Sequence, residues 1–276
     1  MIHLFRWLAQ LPLWLLHGLG WLLGWLSFMS SPTYRRRFRE NIAQAGYPMA
    51  SVSAAVGSAG RMIGELPRLW LGAAVAFDWE NDACVDKAYG AGRGVIFLTP
   101  HLGCFEITAQ AVAARYAQRY GPLTVLYRPA RQAWLAQLML QARDRPGLVS
   151  VPTSLAGVRQ MIRSLRNGHA VGLLPDQVPP DGMGVWASFF GRDAYTMTLS
   201  VRLAQQTGAT VLLLWGERLN RGRGFRLHFR DMHEPLSSDL DTAVGQVNRE
   251  MERLVRECPG QYLWGYARYK QPKAEA

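Results

Sequence analysis

From Trp7 to Met29 the chain carries no Lys, Arg, Asp or Glu. This Leu-rich run, with tryptophans at Trp7, Trp14, Trp21 and Trp25, is long enough to cross a hydrocarbon core and predicts a membrane-attaching helix. Gln10, Pro12, His17 and three glycines interrupt it, and tryptophans along its length also suit a helix lying in the interface. The cluster Arg35-Arg36-Arg37 and Arg39 follows at once. By the positive-inside rule it sets the remaining chain on the cytoplasmic side and suits anionic headgroups. A cleaved signal peptide is set aside, because the apolar region is long, Arg6 is the only charge before it, and no convincing small-x-small site follows it before the arginines. The expected division is an anchor over residues 1–33 and a catalytic domain over 34–276.

Beyond the anchor, residues 34–71 read as helical. The pattern then alternates between short apolar runs and helical periodicity. Strands are predicted at Val95–Leu98, Leu123–Tyr127, Leu148–Val151, Ala170–Leu174 and Thr210–Trp215. Helices are predicted at Ile107–Tyr120, Trp134–Arg143, Leu155–Arg166, Leu199–Gln206 and Thr242–Cys258. Phe225–Phe229 reads as an antiparallel edge strand, and residues 179–184 read as a loop. The fold class is therefore α/β, a mixed, largely parallel central sheet covered by helices, with the N-terminal membrane helix added.

The chain has 276 residues, enough for one large α/β domain plus an appendage. Its net charge of +11 favours polyanionic partners, and the apolar N-terminus directs that preference to a membrane surface. No nucleic-acid motif is recognisable, so a nucleic-acid partner is not expected. Cys84, Cys104 and Cys258 are widely spaced, which predicts reduced thiols. His101 and Cys104 have a ligand-like gap, but no second pair follows, so neither a metal nor a cofactor is expected. A serine hydrolase is disfavoured by the lack of a Gly-x-Ser-x-Gly elbow.

The candidate chemistry sits at strand ends. His101-Leu-Gly-Cys-Phe-Glu106 follows the Val95–Leu98 strand, and ligands of open α/β sheets bind outside the carboxyl ends of strands. A neutral imidazole can take a proton from an alcohol near neutral pH, and a carboxylate on its other nitrogen fixes the tautomer. Glu106 is the expected carboxylate, provided a turn at Gly103 brings the two together. Cys104 is read as a packing residue rather than a nucleophile. Arg128 lies just past the next strand end, Arg143 closes the following helix, and both suit an anionic substrate. Asp176 stands at a third strand end on the same rim. Phe189-Phe-Gly191 offers either an apolar lining for an acyl tunnel or two core phenylalanines before a turn.

H-x4-E alone matches by chance, but a longer ordered set is specific. With Tyr127-Arg-Pro129, Leu174-Pro-Asp-Gln177, Phe189-Phe-Gly191, Thr196, Thr198, Gln261-Tyr-Leu-Trp264 and Arg268-Tyr-Lys270, the chain resembles the lipid A biosynthesis acyltransferases of the lysophospholipid acyltransferase superfamily. The resemblance runs over nearly the whole sequence. It implies a catalytic dyad of His101 and Glu106, an active-site arginine at Arg143 and a substrate-side aspartate at Asp176. The implied reaction moves a fatty acyl group from acyl carrier protein to a hydroxyl of a lipid A precursor at the cytoplasmic face of the inner membrane. Cys104 and Phe105 stand where the family usually has Asn and Trp, and Tyr266 and Ala267 stand where its W-x-H-R-R-F-K ending has a histidine and an arginine, which opens the identity of the acceptor. The alternatives are a lysophospholipid, an ornithine lipid or another glycolipid.

Overall fold

The structure is a computed structural model that describes residues 2–127, 132, 134, 136, 138, 139, 142 and 145–274. Its strands are β1 (Phe77–Glu80), β2 (Val95–Leu98), β3 (Leu123–Tyr127), β4 (Leu148–Pro152), β5 (Ala170–Leu173), β6 (Gly184–Phe189), β7 (Arg192–Met197), β8 (Thr210–Arg218) and β9 (Phe225–Asp231). Described helices are α1 (Ile2–Leu8), α2 (Leu13–Ser30), α3 (Pro32–Gln44), α4 (Met49–Val52), α5 (Ala54–Gly64), α6 (Leu66–Leu71), α7 (Ala83–Gly90), α8 (Phe105–Tyr120), α9 (Leu155–Arg166), α10 (Leu199–Thr207) and α11 (Leu240–Glu257).

Seven strands form one sheet in the order β1-β9-β8-β2-β5-β3-β4. Its single antiparallel pairing joins β8 to β9, so five strands end on one rim, where the histidine turn lies. The apolar runs of β2 and β5 follow from this position, because a parallel strand at the centre of a sheet is covered on both faces. One face packs Val95, Phe97, Leu123 and Leu214 beneath α7 and α8. The other packs Ile96, Leu98, Val171 and Trp215 beneath α9, α10 and α11. Local capping sets the starts of α9 and α11: Ser154 accepts from Gly157 N at 3.2 Å, and Asp239 accepts from Thr242 N at 2.9 Å.

The expected bounds of β2, β3 and α9 are those observed, and the mixed, largely parallel sheet is present. The expected helix over 134–143 falls largely outside the described residues. Phe225–Asp231 is antiparallel to β8 as expected, but it is not the edge. It also pairs in parallel with β1, whose four residues are too few for a periodic signal. The segment after the expected 179–184 loop forms the β6–β7 hairpin. There Phe189 and Phe190 are buried, and Phe190 lies against Trp264, so they are core residues rather than a tunnel lining.

Among the described residues, α2 is the one helix long and apolar enough to cross a membrane. It is not free of the body. Gly20 and Gly24 meet α5 backbone to backbone, and a Cβ at Gly60 would fall onto the Gly20 carbonyl oxygen. The opposite face turns Trp14, Leu22, Leu26 and Met29 outward, each 53–60% exposed.

Candidate active site

His101 comes three residues after β2, on a turn that only glycine can complete. Gly103 adopts φ +59°, and a Cβ there would strike the Gly216 carbonyl oxygen of β8. The turn is laced from two sides. Cys104 N donates to Gly216 O at 2.8 Å, Gly103 N donates to Gln261 O at 3.1 Å, and His101 O accepts from Leu263 N at 3.1 Å. Helix α8 starts immediately, with Glu106 in its first turn, where the positive end of the helix favours a carboxylate.

The carboxylate on the imidazole is that of Asp176, not the Glu106 expected from spacing. His101 Nδ1 lies 2.7 Å from Asp176 Oδ1, and His101 backbone N donates to Asp176 Oδ2 at 2.8 Å. The pairing follows from sheet order: β5 is the hydrogen-bonded neighbour of β2, and Asp176 is as far past β5 as His101 is past β2. Asp176 is only 2% exposed. Burial pushes its pKa up, but the His101 charge and the hydrogen bonds from the His101 ring and backbone outweigh that and hold it below the usual carboxylate range. An ionised carboxylate only accepts. Nδ1 therefore carries a proton, and in the neutral imidazole it is Nε2 that holds the lone pair; Nε2 lies 2.9 Å from the Gln177 side-chain amide. Gln177 is held in turn through its neighbour, since Val178 N donates to the Tyr266 hydroxyl at 3.0 Å.

Glu106 has its own anchor, accepting from the Trp70 indole Nε1 at 2.9 Å. Both Glu106 and His101 line a cavity of about 560 Å³ that opens at the sheet rim. Its wall is apolar: Phe97, Leu123, Val125, Met139, Leu148 and Leu214, with Gln177, Thr153 and Ser154 adding polar groups. A long aliphatic group and a reactive polar end fit this combination. Arg128 and Arg143 lie outside the described residues. Cys104 is buried, and burial raises its thiol well above the ordinary range, the opposite of an activated nucleophile.

Sequence reasoning placed Asp176 at the substrate; its two oxygens are instead turned to His101. It quoted Gln177 without a role, and it missed the ion pair beneath the turn. Arg218 Nε and Nη2 bond Glu65 at 2.6 and 2.7 Å, Nη2 also donates to Gly103 O at 2.9 Å, and Nη1 donates to Ser58 Oγ at 2.8 Å. His17 of α2 donates its Nε2 proton to Glu65 Oε2 at 3.0 Å. A histidine inside an uncharged apolar run was the available signal. The C-terminal Arg268 is buried and braces the hairpin, donating to Tyr195 O and Thr196 Oγ1 at 2.8 and 2.6 Å.

Residues 1–271 match the model of the bacterial lipid A biosynthesis acyltransferase family. The lipid A biosynthesis palmitoleoyltransferase of Escherichia coli K12 is 24% identical over 195 residues, 70% of this chain and 61% of that protein. The lipid A biosynthesis lauroyltransferase of the same organism is 25% identical over 179 residues, 64% and 55% of the two chains. A phosphatidylinositol mannoside acyltransferase of Mycobacterium tuberculosis CDC 1551 is 28% identical over 150 residues, 52% and 45%. The chain thus spans less than two thirds of the length of these relatives.

Proposed function

The chain belongs to the bacterial lipid A biosynthesis acyltransferase family, and we propose that it transfers a fatty acyl group from an acyl carrier protein thioester to a hydroxyl of a lipid A precursor. The observation that carries this reading is the His101–Asp176 pair at the mouth of a deep apolar cavity. In the proposed reaction the acceptor hydroxyl displaces the Gln177 amide from His101 Nε2 and gives its proton to that nitrogen. The alkoxide oxygen attacks the thioester carbonyl carbon, and the tetrahedral intermediate collapses with cleavage of the C–S bond. The imidazolium, stabilised by Asp176, returns its proton to the departing thiolate. No covalent acyl-enzyme forms, in keeping with the buried, protonated Cys104.

Glu106 keeps the second acidic place of the site, lining the same cavity from the first turn of α8. Arg128 and Arg143 are assigned to the phosphates of the acceptor or to the developing oxyanion on the strength of the family resemblance. The lipid seat is the outward face of α2, with residues 1–33 acting as the membrane attachment and the catalytic part facing the cytoplasm. The helix lies along the membrane surface rather than across it, since crossing would pull His17 from Glu65 and part the glycine contacts with α5.

One relative is named for a different lipid acceptor, phosphatidylinositol mannoside, so a second reading keeps the chemistry and changes the acceptor to a lysophospholipid or another glycolipid. Wild type and His101→Ala, in lipid nanodiscs, are incubated with acyl carrier protein thioesters of several lengths. A tetra-acylated lipid A precursor and a lysophospholipid are offered in parallel, and products are read by mass spectrometry. Transfer to the precursor by wild type alone is expected. Transfer only to the lysophospholipid would replace the acceptor, and equal activity in the variant would remove the mechanism.

A further inference from the structure

Gly172 is the third residue of β5, whose other members, Ala170, Val171 and Leu173, are all buried apolar residues. Glycine inside such a strand gives up packing and adds backbone entropy to be lost on folding, and it recurs where a ligand or backbone needs close approach. The backbone does not call for it, because Gly172 is not among the positive-φ glycines. The space does. Gly172 faces the cavity, and a Cβ built there would stand 3.1 Å from Val125 Cγ1 and 3.9 Å from Leu123 Cδ1. At 3.1 Å the contact is tighter than ordinary van der Waals packing, so Val125 would have to give way.

The register fixes the depth of this point. Gly172 is level with Phe97 on one side and Val125 on the other. His101 lies four residues beyond Phe97, toward the mouth. Leu123 and Leu148, paired to each other, line the cavity two residues further in, roughly 7 Å deeper at strand rise. Gly172 therefore occupies the waist between the reacting end and the deep pocket. Resting on the acyl-transfer reading above, we infer that the missing side chain at Gly172 sets the length of acyl chain this protein accepts: the open waist admits a chain as far as Leu123 and Leu148, and a side chain there closes the deep end.

The test uses Gly172→Val, a residue suited to a covered parallel strand, alongside Val125→Ala and the volume-compensating Gly172→Ala/Val125→Ala, all in nanodiscs. Two readouts are taken over fatty chains of graded length: transfer from acyl carrier protein thioesters, and displacement of a fluorescent fatty acid by free fatty acids. The second needs no catalysis. Gly172→Val is expected to lower kcat/KM for the longest accepted chain about 10-fold or more while sparing the short ones, since each methylene excluded from an apolar pocket is worth roughly that factor. The double variant is expected to return the wild-type profile. A folded Gly172→Val with the wild-type length profile in both readouts would overturn the inference. A shifted displacement profile in a protein that transfers nothing would uphold it and reject the reaction. If Gly172→Val does not fold, an unchanged profile in Val125→Ala decides against the waist.

Discussion

At the scale of single residues the proposed chemistry turns on the pair His101–Asp176, because the carboxylate decides which imidazole nitrogen holds the proton. Asp176→Asn keeps the shape and removes the charge. We expect kcat to fall about 10²- to 10⁴-fold, the range for lost general-base assistance and a wrong tautomer. Nitrogen NMR of the labelled imidazole should show the Nδ1 proton in wild type and a changed tautomer balance in the variant; an unchanged spectrum and unchanged kcat would assign the orienting role elsewhere. Cys104→Ala should leave turnover within about 2-fold, because the thiol is buried and protonated. Loss comparable to that of His101→Ala would restore it as a nucleophile. That His101 and Glu106 would stand together at one strand end was legible, because a strand, a turn and an acid follow one another in sequence. The His101–Asp176 contact was not, since it depends on β5 lying next to β2, and strand order is a property of the whole sheet.

At the scale of elements, the Glu65–Arg218 pair ties α5 and α6 to β8 and to the Gly103 carbonyl, and His17 adds α2 to the same knot. Burial pushes the Glu65 carboxyl up, but the Arg218 charge and the hydrogen bonds from Arg218 and His17 outweigh it and hold the group at about 2. A carboxyl depressed in the folded state stabilises above its unfolded value, near 4.3, and that contribution drains away as pH falls toward 2. Thermal midpoints of wild type should therefore fall steeply below about pH 4. Glu65→Leu should lose about 3–5 kcal/mol at pH 7 because it strands a buried guanidinium, whereas Glu65→Leu/Arg218→Met should recover much of that loss. Denaturant midpoints read both; a double variant no better than the single one would show that the charges themselves, rather than their pairing, are needed. The helices α8 to α10 were legible through their periodicity. The α2–α5 contact was not, because it joins glycines roughly forty residues apart and leaves no apolar stripe for a pattern to detect.

At the scale of the molecule, the anchor run and the arginine cluster were plain in the sequence, but whether the run spans or lies flat depends on what its other face touches. With Gly20 and Gly24 clamped on α5 and His17 bound to Glu65, only the Trp14, Leu22, Leu26 and Met29 face is left for lipid. Arg36, Arg37 and Arg39, on the next helix, are exposed. Arg35 is spent differently, donating to the Phe28 and Met29 carbonyls at the end of α2. On the proposed membrane attachment, two independent terms act: apolar insertion, insensitive to salt, and headgroup attraction, which salt screens. Arg36→Gln/Arg37→Gln/Arg39→Gln should weaken binding to anionic vesicles on the order of 100-fold at low salt, at about 1 kcal/mol per arginine. Binding to neutral vesicles should barely change. Trp14→Ser/Leu22→Ser/Leu26→Ser should weaken both, and at every salt concentration, because it removes the apolar term. Vesicle co-sedimentation across a salt series separates the two. If the serine variant stays bound and resists alkaline extraction as wild type does, the helix crosses the bilayer, and its clasp to α5 must open when the protein meets the membrane.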